Sequence, residues 1–153
     1  MSTDATNPQT CQVDFYLLGN ASQQAGQFAC RLAMMAWEQK QDIYIAASDE
    51  SAIKQLDEQM WQYPDKRFLP HSTSGDANAN KAPVIIGLLS DLNPTDVVIN
   101  LCPQAVPQPE RFKRVLEIVP FADDERQASR VKYKTYRDLA LKPKTHEIKQ
   151  LSP

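Results

Sequence analysis

VDFYLL, residues 13–18, is a short apolar run of strand-forming residues that Gly19 ends. Residues 21–40 then place alanine, leucine, methionine and aromatic side chains at helical spacing, with Asn20 or Ser22 as a possible N-cap. IYIAA, residues 43–47, is a second strand of the buried type. A strand, a long helix and a second apolar strand predict a parallel βαβ unit.

The same alternation continues along the chain. Ser48 is a plausible N-cap for a helix that runs to about residue 63. Two apolar strands are predicted at residues 84–89 and 96–101, and a fifth at 115–119. Acids in the first turn favour a last helix over residues 122–141. Together these elements predict a three-layer α/β domain with a mostly parallel sheet.

A length of 153 residues suits one domain. We assign residues 11–141 to it. Residues 1–10 are predicted to be a flexible N-terminal tail. Residues 142–153 have no clear pattern and are interpreted as a C-terminal tail.

Composition excludes several classes of protein. Hydrophobic residues make up 42% and charged residues 24%, as in ordinary globular domains. No apolar run approaches the length of about 18 residues that spans a bilayer, so no membrane contact is expected. The polar start lacks the pattern of a signal peptide, and we expect a cytoplasmic protein. Three scattered cysteines and two histidines predict neither a disulfide framework nor a metal site.

The sequence also lacks the usual marks of a catalytic or cofactor site. The four glycines form no phosphate-binding motif, so no cofactor is expected. Cys30 lies on the apolar face of a helix and is interpreted as a buried thiol. Cys102 follows a strand, but no histidine or acid is suggested beside it. The absence of such a site points away from an enzyme. The alternative interpretation is a small nucleotide-binding protein or enzyme.

The net charge of −2 hides an asymmetry. Residues 110–153 carry 11 Lys/Arg and 7 Asp/Glu, a net charge of +4, whereas residues 1–109 carry a net charge of −6. A basic end on an acidic body indicates a localised anionic partner. Direct binding of single-stranded DNA is disfavoured because the acidic body would repel the rest of the polymer.

Within the basic end, the last helix places cations and an aromatic ring along one stripe. The stripe consists of Arg126, Arg130, Tyr133, Lys134 and Arg137. Such a surface can hold a carboxylate while an apolar group packs beside it. A solvated basic face is the alternative interpretation. The smaller or apolar side chains are expected to pack on the sheet, and these are Ala128, Val131, Thr135 and Leu139.

A second candidate surface is MWQYPDKRFLPH, residues 60–71, which crowds aromatic side chains into a helix end and an extended loop. Aromatic residues in a loop can belong to the core. They are also common anchors of protein–protein interfaces. The residues alone leave both interpretations open.

Taken in order, several pieces of this chain resemble one family. They are VDFYLL, AWEQKQDIYIAASDE, LDEQMWQYPDKRFLPH, APVIIG and EIVPFADDERQASRVKYKTYR. Between about residues 13 and 141 the chain resembles the chi subunit of bacterial DNA polymerase III holoenzyme. The resemblance implies a Rossmann-like α/β fold without a nucleotide site, and a non-catalytic accessory protein of the clamp-loader complex in DNA replication.

The resemblance also implies two protein partners. One is the psi subunit, and the other is the acidic, phenylalanine-ended C-terminal tail of single-stranded DNA-binding protein. By motif, the tail-binding residues are Val119, Arg126, Arg130, Tyr133, Lys134, Tyr136 and Arg137. By motif, the psi-binding residues are Trp61, Phe68, Leu69 and Pro70.

Overall fold

The computed structural model describes residues 11–20, 24–62, 70–73 and 82–148. Within them the chain forms seven strands and three α-helices. In chain order these are β1 (Gln12–Leu18), α1 (Ala25–Glu38), β2 (Ile43–Ala47), α2 (Glu50–Gln62), β3 (His71–Thr73), β4 (Val84–Leu88), β5 (Val97–Asn100), β6 (Arg114–Val119), α3 (Asp123–Asp138) and β7 (Lys144–Ile148). Short 3₁₀ turns lie at Leu89–Asp91 and Pro109–Arg111.

The strands form one sheet in the order β3-β4-β2-β5-β6-β1-β7. Every pairing between these described strands is parallel. The predicted α/β class with a parallel sheet is therefore confirmed. Although β1 and β2 flank α1 in sequence, β5 and β6 lie between them in the sheet. The edges are β3 on one side and β7 on the other.

The sheet has a core on each face, as the three-layer prediction requires. Helix α1 buries Phe28, Leu32 and Ala33 together with alternate side chains of the central strands, and α2 adds to the same core. We call this the α1/α2 core. The opposite core contains Val13 and Phe15 of β1 and Tyr136 of α3. We call it the α3 core.

The helix starts differ slightly from the predicted ones. Helix α2 is capped by Asp49, whose Oδ1 accepts a hydrogen bond of 2.8 Å from the Ala52 N–H, so Ser48 is one residue too early. Helix α1 begins after Gln24, which makes no side-chain capping bond. Asn20 therefore lies too far from the helix start to cap it, and Ser22 lies outside the described residues.

Two strands, β3 and β7, were not predicted from the sequence. Residues 142–153 were expected to be a tail without structure, yet Lys144–Ile148 forms β7 and pairs with β1. Four of its five residues are exposed, so it has no apolar alternation to reveal it. Strand β3 has only three residues, too few for an apolar alternation to be recognised. The predicted N-terminal tail, residues 149–153 of the predicted C-terminal tail and residues 63–69 of the second candidate surface lie outside the described residues.

The predicted packing face of α3 is wrong. Val131 is 67% exposed and Leu139 is 50% exposed, whereas Ser129, Lys132 and Tyr136 are buried. The physical reason lies beneath the helix, where the buried acid Glu117 on β6 bonds the side chains of Lys132 and Tyr136. Separately, no helix within the described ranges has the length and apolar character needed to cross a bilayer.

Candidate functional site

A groove runs between α3 and the β7 edge of the sheet. One cavity in this groove has a volume of about 170 Å³. The cavity is lined by residues of β1, α3 and β7, namely Phe15, Leu17, Arg126, Ser129, Arg130, Tyr133 and Thr145. The groove therefore brings together β1 and β7, which are the first and the last of the described strands.

Two aromatic rings shape the apolar part of this cavity. The rings of Phe15 and Tyr133 lie 5.5 Å apart at a tilt of 47°. The Tyr133 hydroxyl donates a hydrogen bond of 3.2 Å to the Pro143 carbonyl, which ties the half-buried ring to the segment leading into β7. An apolar cavity of about 150 Å³ is large enough to take benzene. This cavity therefore has room for one aromatic ring.

Two arginines border the same cavity, one helical turn apart. The Arg126 guanidinium lies 4.8 Å over the Phe121 ring and donates to the Leu18 carbonyl at 3.5 Å. Arg130 is exposed. The guanidinium fork matches the geometry of a carboxylate. The cavity can therefore hold an apolar ring and an anion side by side.

The groove continues past Arg126 towards the carboxyl ends of β1 and β7. A second cavity of about 280 Å³ is lined there by Leu17, Gly19, Arg126, Glu147 and Ile148. Leu17 and Arg126 line both cavities, so the two cavities are adjacent.

The other residues of the predicted site lie elsewhere on or under α3. The Lys134 side chain is 78% exposed and pairs with Asp138 at 3.1 Å, outside the cavity lining. Arg137 is also exposed. Val119 and Tyr136 are buried in the α3 core, so neither offers surface to a partner.

The second predicted surface lies at the opposite edge of the sheet. Trp61, in the last turn of α2, is 61% exposed, and its ring lies 4.9 Å from His71 in β3. His71 Nε2 also lies 3.2 Å from Asp57 Oδ1 of α2, where the helix meets the edge strand. Pro70 is partly buried and precedes β3. Phe68 and Leu69 lie outside the described residues.

Residues 11–144 match the protein family described as "DNA polymerase III chi subunit, HolC". This chain belongs to that family.

Curated relatives agree with the assignment. DNA polymerase III subunit chi of Pseudomonas aeruginosa is 34% identical over 142 residues, which cover 92% of this chain and 99% of the relative. The subunit of the same name from Escherichia coli K12 is 32% identical over 130 residues, covering 80% of this chain and 88% of the relative. The resemblance stated from sequence is thereby confirmed.

Solved structures share the fold at much lower identity. A structure of S. cerevisiae Dbp5 aligns with a TM-score of 0.65 at 10% identity and covers 94% of this chain. The crystal structure of T4 UvsW aligns with a TM-score of 0.65 at 8% identity and covers 92%. This chain spans less than half of either protein, 44% and 42%. Such likeness shows the fold alone.

Several groove residues of this chi-family chain were missed by the sequence analysis. Phe15 and Leu17 were assigned only to a strand, and Thr145 to a tail. The alternation of Val13, Phe15 and Leu17 carries a signal, because alternate residues of a strand share one face. Thr145 carries none, since β7 has no apolar pattern.

Cys30 is a buried thiol, as the sequence predicted, whereas an acid that the sequence did not suggest, Glu117, adds to burial in raising the pKa of Cys102. Cys11, Cys30 and Cys102 are buried and unpaired as disulfides. Burial raises the pKa of Cys30 to about 12 and the pKa values of Cys11 and Cys102 to about 11, so all three stay protonated at neutral pH. In the part of the chain that the structure describes, no three potential metal ligands come together.

Proposed function

We propose that this protein is a non-catalytic adaptor of the DNA polymerase III holoenzyme in DNA replication. It holds the psi subunit at the β3 edge of the sheet. At the β7 edge it holds the acidic, phenylalanine-ended C-terminal tail of single-stranded DNA-binding protein. The observation that carries the proposal is the groove on α3, where a cavity the size of one aromatic ring adjoins two arginines.

The chemistry of the tail complements this groove. Its terminal ring fills the cavity between Phe15 and Tyr133, and its carboxylates meet Arg126 and Arg130. Hydrogen bonds to charged groups contribute roughly 1.5–3 kcal/mol each. After the cost of ordering a flexible peptide, we expect an affinity around micromolar. Salt weakens it, because Arg130 is exposed to solvent.

Exposed Trp61 supports the psi-binding half of the proposal. Large aromatic side chains are frequent anchors of protein interfaces. Because β3 is one edge of the seven-stranded sheet and the groove lies at β1 and β7 on the other side, four strands separate the two proposed surfaces. Both partners can therefore be bound at once, which is what an adaptor needs.

The tail site is tested with a labelled peptide that carries several acids and a C-terminal phenylalanine. Arg130→Ala should raise the Kd at least several-fold in fluorescence anisotropy. Lys54→Ala is the matched control, because it removes one exposed positive charge from α2, far from the groove in the fold. Equal affinity of Arg130→Ala and parent would rule out this site.

Two further arms identify the partner. Single-stranded DNA-binding protein lacking its tail should not bind, and persistent binding would point to DNA or to another surface. Trp61→Ala and Phe68→Ala should impair co-purification with psi while sparing the tail peptide. Met35→Ala, which removes an exposed apolar side chain of α1, is the control for these variants. If Trp61→Ala and Phe68→Ala both co-purified with psi as well as the parent does, the proposed psi-binding surface would be wrong.

A further inference from the structure

A buried ion pair lies beneath the groove helix, within the α3 core. Glu117 of β6 is fully buried, and Lys132 of α3 is 5% exposed. Lys132 Nζ lies 2.7 Å from Glu117 Oε1 and donates a second hydrogen bond of 2.8 Å to the Cys102 carbonyl. The lysine thus ties the middle of α3 both to β6 and to the segment that follows β5.

The other carboxylate oxygen completes a network. Glu117 Oε2 accepts hydrogen bonds from the Tyr136 hydroxyl and from Asn100 Nδ2, the latter at 2.9 Å. The Tyr136 oxygen in turn accepts a bond of 2.8 Å from the Val106 N–H. The Asn100 side-chain oxygen accepts from the Cys102 N–H at 3.0 Å. Four side chains and two loop amides are therefore satisfied together.

This network takes the place of an apolar seam. The buried residues of α3 are Ser129, Lys132 and Tyr136, with no leucine, isoleucine or valine among them. Apolar contacts tolerate small shifts because they have no preferred direction. Hydrogen bonds weaken steeply when they are misaligned. Two such anchors one turn apart, Lys132 and Tyr136, fix both the rotation and the axial position of the helix.

The groove depends on that position. Arg130 and Tyr133 line the cavity from α3, and they alternate along the helix with the anchors Lys132 and Tyr136. A rotation by one residue is about 100°. Much smaller rotations would move the Tyr133 ring away from Phe15, although the fold remained intact.

We propose that Glu117, Lys132, Tyr136 and Asn100 are positioning residues that hold α3 so that Arg126, Arg130 and Tyr133 form the groove with Phe15. The inference rests on the proposed tail-binding function for its biological meaning. The position of α3 does not depend on that function, so it can be tested without the peptide.

The test variant removes both charges at once. Burial raises the pKa of Glu117, and the Lys132 ammonium opposes that rise, so removing lysine alone would leave an uncompensated buried acid. The double variant E117Q/K132M keeps the volume and leaves an acceptor for Tyr136 and Asn100. We expect cooperative unfolding with a melting temperature close to that of the parent, and a tail-peptide Kd raised at least fivefold.

A control separates positioning from loss of stability. Leu32→Ala opens a hole in the α1/α2 core, on the opposite face of the sheet. It should lower the melting temperature more than E117Q/K132M does, while the peptide Kd stays within twofold of the parent. If the Kd followed the melting temperature in both variants, the network would be merely structural and the proposal would be overturned.

A second readout needs no peptide. The nuclear Overhauser contact between Phe15 and Tyr133, whose rings are 5.5 Å apart, should weaken in E117Q/K132M. The matched contact on the other face, between Tyr16 and Phe28 at 5.4 Å, should be unchanged. An unweakened Phe15–Tyr133 contact overturns the proposal, even if the parent binds no peptide and the proposed function fails. If E117Q/K132M does not fold, Tyr136→Phe, which removes one hydroxyl, replaces it with the same expected directions.

Discussion

Helices α1 and α3 cover opposite faces of the same sheet by opposite means. Helix α1 buries Phe28, Leu32 and other apolar side chains at helical spacing, and its neighbours in the core are valines, isoleucines and leucines. Helix α3 buries a serine, a lysine and a tyrosine, and leaves Val131 exposed to solvent. The apolar helix supplies stability without demanding one exact placement. The polar helix is placed by directed bonds, and it is the helix that carries the groove.

The two helices differ in how strictly their positions on the sheet are fixed. Close packing with apolar side chains tolerates volume-conserving changes at modest cost. A satisfied buried network fixes one arrangement, and it fails when one member is removed.

The largest effect is expected from Lys132→Met alone. It leaves the Glu117 carboxylate buried without its cation, which typically costs about 3–5 kcal/mol of unfolding free energy. Urea denaturation measures this loss. The double variant E117Q/K132M should recover most of it in a double-mutant cycle. A Lys132→Met protein as stable as the parent would show that the ion pair does not hold α3.

Leu32→Ala tests the apolar side of the contrast. The residue is buried in the α1/α2 core, and truncation of such a leucine costs about 2–5 kcal/mol. The loss is read from the urea midpoint. Unlike E117Q/K132M, this variant should retain its peptide affinity at temperatures where it is folded. A parallel loss of affinity would mean that the two faces are not independent.

Asp14→Asn tests the strand that walls the groove. Asp14 of β1 is buried and lies 2.9 Å from both His146 of β7 and Arg114 of β6. Burial alone would raise the pKa of Asp14, but hydrogen bonds from His146, Arg114 and Gln12 outweigh it and hold the pKa below its ordinary value of 3.8. We expect a loss of about 1–2 kcal/mol at pH 7, since both partners are partly exposed.

The pH dependence of that loss has a definite sign. A folded-state pKa below the unfolded value means that the stabilisation is present above pH 3.8 and disappears as the pH falls through the folded pKa. The unfolding curves of Asp14→Asn and parent should therefore converge in acid. A difference that stayed constant down to pH 2–3 would contradict the assignment of the stabilisation to the carboxylate.

The smallest effect is expected from Val131→Lys. The side chain is 67% exposed on the outer face of α3, so the change in unfolding free energy should stay within about 0.5 kcal/mol. Thermal unfolding measures it. A loss of several kcal/mol would restore the sequence-based expectation that Val131 packs on the sheet.

The sequence predicted the parts of the molecule that follow apolar periodicity. Helix α1 and strand β2 appear in the expected places, since their buried side chains recur at helical spacing or form an unbroken apolar run. The inward face of α3 could not be predicted, because a buried lysine is favourable only beside an acid that lies on another element. The sequence of residues 114–138 gives no sign that Glu117 and Lys132 form a pair, because only the fold brings them together.

The candidate site divides in the same way. Arg126, Arg130 and Tyr133 were predicted from helical spacing, and the structure brings these three to one cavity. Lys134 and Arg137 share the helix but not the cavity lining. The opposite wall escaped prediction because Thr145 lies on an exposed edge strand whose position depends on pairing with β1.

The proposed function requires that the chain hold two partners at opposite edges of one sheet. The direct measurement is a titration of the labelled acidic tail peptide into the free protein and into its complex with psi. We expect saturable binding with a Kd around micromolar in both titrations, and a Kd raised at least several-fold in both with Arg130→Ala. Absence of binding to the free protein, or displacement of the peptide by psi, would contradict the proposed function.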